Sequence, residues 1–200
     1  MYNEIIQYGT DKYIPYLKTL WKLCFPKDSD SFINFYFEEI YRNEETLICL
    51  KNDRPIAALQ MIPYSIKTGK QIRQGGYLSG IMTHPTCRRQ GYMDKLLQSS
   101  FGEMTKKTYD YTFLIPQNSE LIDVYANYGF RLCDSSEYPP ENRVLKTPKQ
   151  WAQIQQDFFD ESGVWFENEP VFSNEQKGMI KRLNPEVEEI TSLYMGMMLD

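Results

Sequence analysis

The most constraining feature of the sequence is a series of short apolar segments between residues 46 and 83, separated by two groups of turn residues. The groups Asn52–Pro55 and Lys67–Lys70 stand where β-hairpins would reverse the chain. This pattern predicts three consecutive antiparallel strands, at about residues 46–51, 55–66 and 72–83. Because strands joined by hairpins pair with each other, these residues are expected to form the centre of a β-sheet.

Helical periodicity precedes and follows these strands. Two amphipathic helices are predicted in "DKYIPYLKTLWKLCF" and "SDSFINFYFEEIYR", and a third in "MDKLLQSSFGEMTKK". "SELIDVYANYGF" reads as a helix that ends at Gly129. Further strands are predicted in "NEIIQY", "YDYTFLIP" and "RLCDSSEY". This order of elements predicts an α+β fold with a central, mixed, mostly antiparallel twisted sheet flanked by helices.

Residues 1–145 are predicted to form this domain, and residues 146–200 a C-terminal helix and strand extension packed on it. The helix is expected in "TPKQWAQIQQDFFDES", with Thr147 as N-cap and Pro148 at the first helical position. The final "TSLYMGMMLD" has the apolar content of a strand. We expect it to pair with the sheet of its own chain or with that of a second copy, which would form a homodimer.

Composition excludes several classes of partner. The chain carries 22 Lys and Arg against 27 Asp and Glu, a net charge of −5, so a nucleic-acid partner is not expected. It has no apolar run near the ~20 residues that span a bilayer and no visible signal peptide. We therefore expect no membrane partner and a cytoplasmic location. With one His and four widely spaced Cys, no metal site is expected, and the thiols are expected to be reduced.

The segment "THPTCRRQGYM", residues 83–93, joins the third predicted strand to the next helix. The first amides of a helix lack intrahelical partners, and the helix dipole adds partial positive charge, so such a junction can hold an anion. Arg88 and Arg89 add forked donors suited to phosphate, and Gly91 permits close approach to the backbone. The pattern indicates a phosphate-binding turn. A solvated turn with two surface arginines is the alternative.

This segment resembles the signature R/Q-x-x-G-x-G/A of the GNAT acyltransferases, which use acetyl-coenzyme A. The chain matches it at Arg88 and Gly91, while Met93 replaces the final small residue. "THPxxRRxGYM" is similar to the subgroup that contains the enhanced-intracellular-survival acetyltransferases. The resemblance implies the GNAT fold, loop amides that hold the pyrophosphate, and a strand end that binds the pantetheine arm. The cofactor-binding residues that it implies are Met82, Thr83, Arg88, Arg89, Gln90, Gly91, Tyr92 and Met93.

A second motif lies in "QNSELIDVYANYGF". Asn118, Tyr125 and Gly129 reproduce the family's spacing of asparagine, tyrosine and glycine after the fifth strand, and the resemblance extends over about residues 1–135. It implies that Asn118 lies at the cofactor and that Tyr125 is the general acid for the leaving thiolate. A tyrosine with a reference pKa of ~10 can protonate or hydrogen-bond the anion of a thiol near ~8.5. The alternatives are a Tyr125 packed in the core and an Asn118 that caps a helix.

A base must keep the attacking amine neutral, and His84 alone has a suitable unperturbed pKa. Strand alternation places His84 on the face opposite Thr83, so a structural role is the alternative. The leading hypothesis is transfer of an acetyl group from acetyl-CoA to a primary amine of a small molecule or peptide. The amine would attack directly in a ternary complex. The alternatives are an inactive module that senses acyl-CoA or binds a peptide, and an interaction domain with accidental motifs.

Overall fold

The computed structural model describes residues 4–133, 141–165 and 178–196. The strands are β1 (Glu4–Tyr8), β2 (Thr46–Lys51), β3 (Arg54–Thr68), β4 (Gln71–Thr83), β5 (Tyr111–Leu114), β6 (Arg131–Leu132), β7 (Asn142–Leu145) and β8 (Met179–Arg182). The helices are α1 (Ile14–Cys24), α2 (Asp30–Phe35), α3 (Tyr92–Lys106), α4 (Glu120–Ala126) and α5 (Pro148–Ser162). An open, mixed sheet flanked by helices confirms the predicted α+β fold.

The chain forms two compact units, and the long strands β3 and β4 contribute to both. The first unit contains residues 1–62 and 78–103. In it the strands follow the order β1-β2-β3-β4, with antiparallel pairing of β1 to β2 and of β2 to β3. Asn52 and Asp53 both have positive φ, the geometry of a two-residue hairpin turn whose twist matches that of its strands. The predicted reversal at this point is confirmed.

The helices of the first unit bury an aromatic cluster. Pro15 lies in the first turn of α1, where its missing N–H costs no hydrogen bond, and residues 11–13 form a short 3₁₀ turn ahead of it. After α2 the chain continues as a π-turn over Tyr36–Ile40. Rings from both helices and the residues after them meet around Trp21, with contributions from Phe25, Phe32, Tyr36 and Phe37.

The second unit contains residues 63–77 and 104–200. Its strands follow the order β7-β3-β4-β5-β8-β6. β4 and β5 are parallel and pair only through Gly75–Tyr77 and Tyr111–Phe113. A parallel pair needs a crossover connection, and α3 lies in that connection. No helix among the described residues has the length and apolar composition needed to cross a membrane.

The C-terminal part of the sheet differs from the prediction. The strand that joins β5 is β8, whereas the described part of "TSLYMGMMLD" forms no strand and contributes isolated bridge residues, among them Tyr194, which pairs with Arg143. Both β7 and β8 have four residues, too few for an alternating pattern to stand out. β6 is also shorter than predicted, and residues 134–140 and 197–200 lie outside the described residues. The division at residue 145 stays a prediction. The capping box at Thr147 confirms the predicted start of α5.

Gly76→Ala is expected to destabilise the protein by about 1–3 kcal/mol, the usual cost of overpacking a core. A Cβ at this β4 position would clash with Met104 Sδ and lie 3.0 Å from a ring carbon of Tyr109. Gly102→Ala in α3 is the matched control, because its Cβ would meet open space and alanine favours a helix. Urea unfolding measures both changes. A Gly76→Ala variant as stable as the parent would contradict the close packing.

Candidate functional site

β4 has an unpaired edge at its carboxyl end. Its last pair with β5 is at Tyr77, but the strand continues from Leu78 to Thr83. The opposite edge stays joined to β3, since the His84 N–H donates to the Ile56 carbonyl at 2.8 Å. No strand in the described part of the chain pairs with the free edge over Leu78–Thr83. Such an edge offers main-chain donors and acceptors to an extended ligand.

Gly80 interrupts the regular geometry of this stretch. Its φ is +54°, and it is the one residue inside a described strand with a left-handed backbone. The turn at Gly69–Lys70 and the hydrogen bond from His84 to Ile56 enclose residues 71–83 on β4 and residues 57–68 on β3. The β4 side is therefore one residue longer than the β3 side. The strand therefore carries a β-bulge, and a left-handed glycine is the residue type that such a bulge uses. The bulge turns the peptide groups that follow it.

Residues 84–91 form the loop between β4 and α3, here called the 84–91 loop. Two of its residues are left-handed, Arg89 with φ +61° and Gly91 with φ +81°. The first helical bond runs from the Lys95 N–H to the Gly91 carbonyl at 3.1 Å. The amides of residues 92–94 precede that bond and so have no partner within the helix. A Cβ at Gly91 would meet nothing within 4 Å, so the backbone faces open space.

The arginine pair lies on the surface of this loop, and Arg88 and Arg89 are both exposed. Arg88 Nε donates to the Thr83 carbonyl at 3.3 Å, and the Cys24 thiol contacts the same oxygen at 3.5 Å. The Thr83 carbonyl therefore already has two donors. Any main-chain bond from Thr83 to a cofactor would come more readily from its N–H. The Arg88 guanidinium extends back along the end of β4.

Three other predicted cofactor residues have their side chains turned to the protein. Met82 is buried, and Tyr92 is buried with its hydroxyl donating to Glu4 Oε1 at 2.7 Å. Gln90 Nε2 donates to the Thr86 carbonyl at 3.2 Å. These residues are available to a ligand through their backbone. Met93 at the start of α3 is half-buried.

His84 is held by its own loop. Its Nδ1 accepts from the Thr86 N–H at 3.4 Å and lies 2.9 Å from Thr86 Oγ1, which caps the short 3₁₀ turn over Pro85–Cys87. This contact gives the imidazole a structural role and fixes its orientation. The role of His84 as a base stays a prediction.

The second motif surrounds α4 in the second unit. Tyr125 is 5% exposed, packs edge-on to Phe130, and has its pKa raised to about 12 by burial. Within residues 4–133, 141–165 and 178–196 its hydroxyl has no hydrogen-bond partner. Asn118 Oδ1 accepts from the Leu121 N–H at 3.2 Å, so Asn118 caps the helix. Gly129, with φ +84°, ends the segment as predicted. The hydroxyl is not among the buried polar atoms that lack a partner, so it is open to solvent and could donate to a ligand.

A comparison with protein families decides the assignment. A family model described as an acetyltransferase (GNAT) domain matches residues 6–133. The chain belongs to the GNAT acetyltransferase family. No curated protein matches the sequence.

Solved structures of GNAT proteins share the fold. The GNAT family N-acetyltransferase YhbS from Escherichia coli, in complex with CoA, aligns with a TM-score of 0.63 at 13% identity over 98% of this chain and 90% of its own. Eis1 from Mycobacterium abscessus aligns with a TM-score of 0.58 at 13% identity over 66% of this chain and 33% of its own. A GCN5-related N-acetyltransferase from Kribbella flavida aligns with a TM-score of 0.57 at 13% identity over 66% of this chain and 33% of its own. The chain spans about a third of the length of the latter two proteins.

Sequence analysis of this GNAT chain missed Gly80 in β4 and Trp21 in α1. Gly80 stands inside the apolar segment "GGYLSGIM", and a lone glycine in a strand pattern indicates a bulge or a close approach. Trp21 packs against Gly80, at 2.9 Å from the position that a Cβ would take. No local pattern shows that contact, because 59 positions of the numbering separate the two residues.

Proposed function

We propose that the protein is an acetyl-CoA-dependent N-acetyltransferase that acts on a primary amine of a small molecule or peptide. The observation that carries the proposal is the continuity of the open edge of β4 with the 84–91 loop. An extended main-chain edge suits the amide groups of a pantetheine arm, and the amides of residues 92–94, which have no partner within the helix, suit a pyrophosphate. The two features follow each other in the order that the cofactor's own chemistry requires.

The residues present fit such a cofactor. The amides of residues 92–94 would hold the pyrophosphate, and Gly91, which has no side chain, would leave the backbone open to it. The exposed Arg88 and Arg89 would add charge-assisted hydrogen bonds. When bound, acetyl-CoA supplies an activated acetyl thioester. Main-chain N–H groups after the bulge at Gly80 would stabilise negative charge on the acetyl oxygen.

Tyr125 is proposed to donate its proton toward the leaving sulfur. Burial holds its pKa at about 12, so the hydroxyl stays neutral and able to donate over the whole physiological range. A free thiol titrates near ~8.5, so complete proton transfer from this tyrosine to the thiolate is uphill. We therefore expect Tyr125 to act mainly by a hydrogen bond that strengthens as charge develops on the sulfur.

The acceptor is proposed to be an amine that is cationic before it loses its proton, such as a polyamine, an aminoglycoside or a peptide N-terminus. The surplus of acidic residues favours such a substrate electrostatically. His84 is the proposed base, acting through the ring nitrogen that does not face Thr86. Direct attack needs both reactants bound together and forms no covalent enzyme intermediate.

Calorimetry with acetyl-CoA and a screen of amine classes that reads free thiol test this function. We expect saturable binding of the cofactor and thiol release that depends on one class of amine. Absence of binding at millimolar cofactor would reject the proposal. Binding without thiol release for any amine would instead identify a module that senses acyl-CoA or binds a peptide.

A further inference from the structure

The last turn of α1 contacts the end of β4 at two points. Trp21 packs on Gly80, and the thiol of Cys24, three residues further along the helix, contacts the Thr83 carbonyl at 3.5 Å. All four residues belong to the first unit. The helix therefore touches β4 on both sides of Ile81 and Met82, whose peptide groups follow the bulge.

Trp21 is held firmly in its place. It is 4% exposed, and its indole Nε1–H donates to Asp28 Oδ2. The ring lies 4.6 Å from the Tyr36 ring and 5.3 Å from the Phe25 ring, measured between centroids. Contacts on several sides and one polar anchor leave the indole little freedom to shift.

The indole edge occupies the place of a side chain on Gly80. A Cβ there would lie 2.9 Å from Trp21 Cζ3 and 3.4 Å from Cη2. Any larger residue would collide with the ring, and an L-residue at φ +54° would also be strained. The ring and the glycine therefore match each other. The ring limits how far the backbone can turn at the bulge, because movement of the strand toward α1 is blocked.

We propose that Trp21 is a positioning residue for acetyl transfer, which sets the direction of the main-chain N–H groups of residues 81 and 83 by packing against the left-handed Gly80. The inference rests on the proposed function, since it assigns those N–H groups to the acetyl end of the cofactor. Trp21 touches no substrate itself. Its effect passes through Gly80 and changes the rate of transfer more than the affinity for the cofactor.

A double-mutant cycle with Trp21→Leu and Gly80→Ala tests the inference. At saturating acetyl-CoA we expect each single change to lower kcat about 30-fold, with the Kd of CoA within about 3-fold of the parent. Because both changes disturb one contact, the double variant is expected to lose about as much as either single variant. A loss equal to the product of the single losses would overturn the proposal.

Two further comparisons separate positioning from loss of core packing. Phe101→Leu replaces another buried ring of the first unit, on α3, by a smaller side chain. It is expected to lower Tm while kcat at 25 °C stays unchanged. Asp28→Asn keeps an acceptor for the indole N–H and is expected to retain kcat, whereas Asp28→Ala is expected to lose about 10-fold. Equal kcat for Asp28→Asn and Asp28→Ala would contradict the proposal. This pair of variants provides the test if Trp21→Leu does not fold.

The activity of the parent protein distinguishes failure of this inference from failure of the proposed function. A parent that transfers no acetyl group to any amine overturns the proposed function and this inference together. An active parent whose Trp21→Leu variant keeps its kcat, or loses affinity for CoA in step with kcat, overturns this inference alone.

Discussion

Tyr125→Phe is expected to lower kcat by about 100-fold while the Kd of CoA changes by less than about 3-fold, because a positioned proton donor contributes 10²–10⁴ in rate. The phenylalanine keeps the ring that packs against Phe130 and removes only the hydroxyl, which has no hydrogen-bond partner among the described residues. Stability should therefore change little. Release of free thiol at saturating acetyl-CoA and amine measures kcat, and calorimetry measures the Kd.

Tyr128→Phe is the matched control, since it removes a hydroxyl from the same segment at a half-buried position. We expect its kcat to stay within about 2-fold of the parent. An equal loss in both variants would reject the assignment of Tyr125.

The pH profile gives an independent test of the same residue. Burial raises the pKa of Tyr125 from 10.0 to about 12, so the neutral form that donates the proton persists above the ordinary tyrosine range. We expect kcat to rise with pH as the acceptor amine loses its proton, with no decline around pH 10. A decline with a midpoint near pH 10 that disappears in Tyr125→Phe would contradict the raised pKa.

The double variant Arg88→Gln, Arg89→Gln is expected to weaken binding of acetyl-CoA by about 50-fold, since solvent screening at exposed positions reduces each charge-assisted hydrogen bond to about 1 kcal/mol. Both side chains are exposed at the 84–91 loop, so their loss should not disturb the core. At saturating cofactor kcat should stay within about 3-fold of the parent, except for any effect of losing the bond from Arg88 to Thr83. Calorimetry at several salt concentrations measures the affinity and its salt dependence.

Two controls identify the group that the arginines contact. Lys106→Gln, Lys107→Gln removes the same charge from exposed positions at the end of α3 and should leave the affinity almost unchanged. Acetyl-pantetheine carries the thioester without the pyrophosphate, so the parent and the arginine variant should use it equally well. If the arginine variant loses as much with acetyl-pantetheine as with acetyl-CoA, the arginines do not act on the phosphates.

Much of the fold could be predicted because it depends on local pattern. The strands β2, β3 and β4 follow from short apolar segments and from the turn residues between them, whose positive φ suits Asn, Asp and Gly. The 84–91 loop follows from the order of strand, arginines, glycine and helix. The role of Tyr125 as proton donor was inferred from the resemblance to the GNAT family and not from local sequence pattern. The structure adds that the residue is buried and that burial raises its pKa.

Side-chain direction within the site could not be predicted in the same way. Tyr92 stands among the predicted cofactor residues, yet its hydroxyl donates to Glu4, which lies at the other end of the first unit's sequence. His84 is the one histidine of the chain and was predicted as the base, but its Nδ1 faces Thr86. Both outcomes depend on neighbours that the sequence pattern does not name.

The sequence by itself determined the central strands, the start of α5 and the position of the 84–91 loop, because these depend on propensity and backbone preference over a few residues. The tertiary structure alone decided that β8 rather than the final segment joins β5, and that Trp21 packs on Gly80. The physical reason is that strand partners and core contacts are chosen by packing among residues far apart in the chain. Many such pairings have similar local patterns, and only the one that fills the core without a clash is stable.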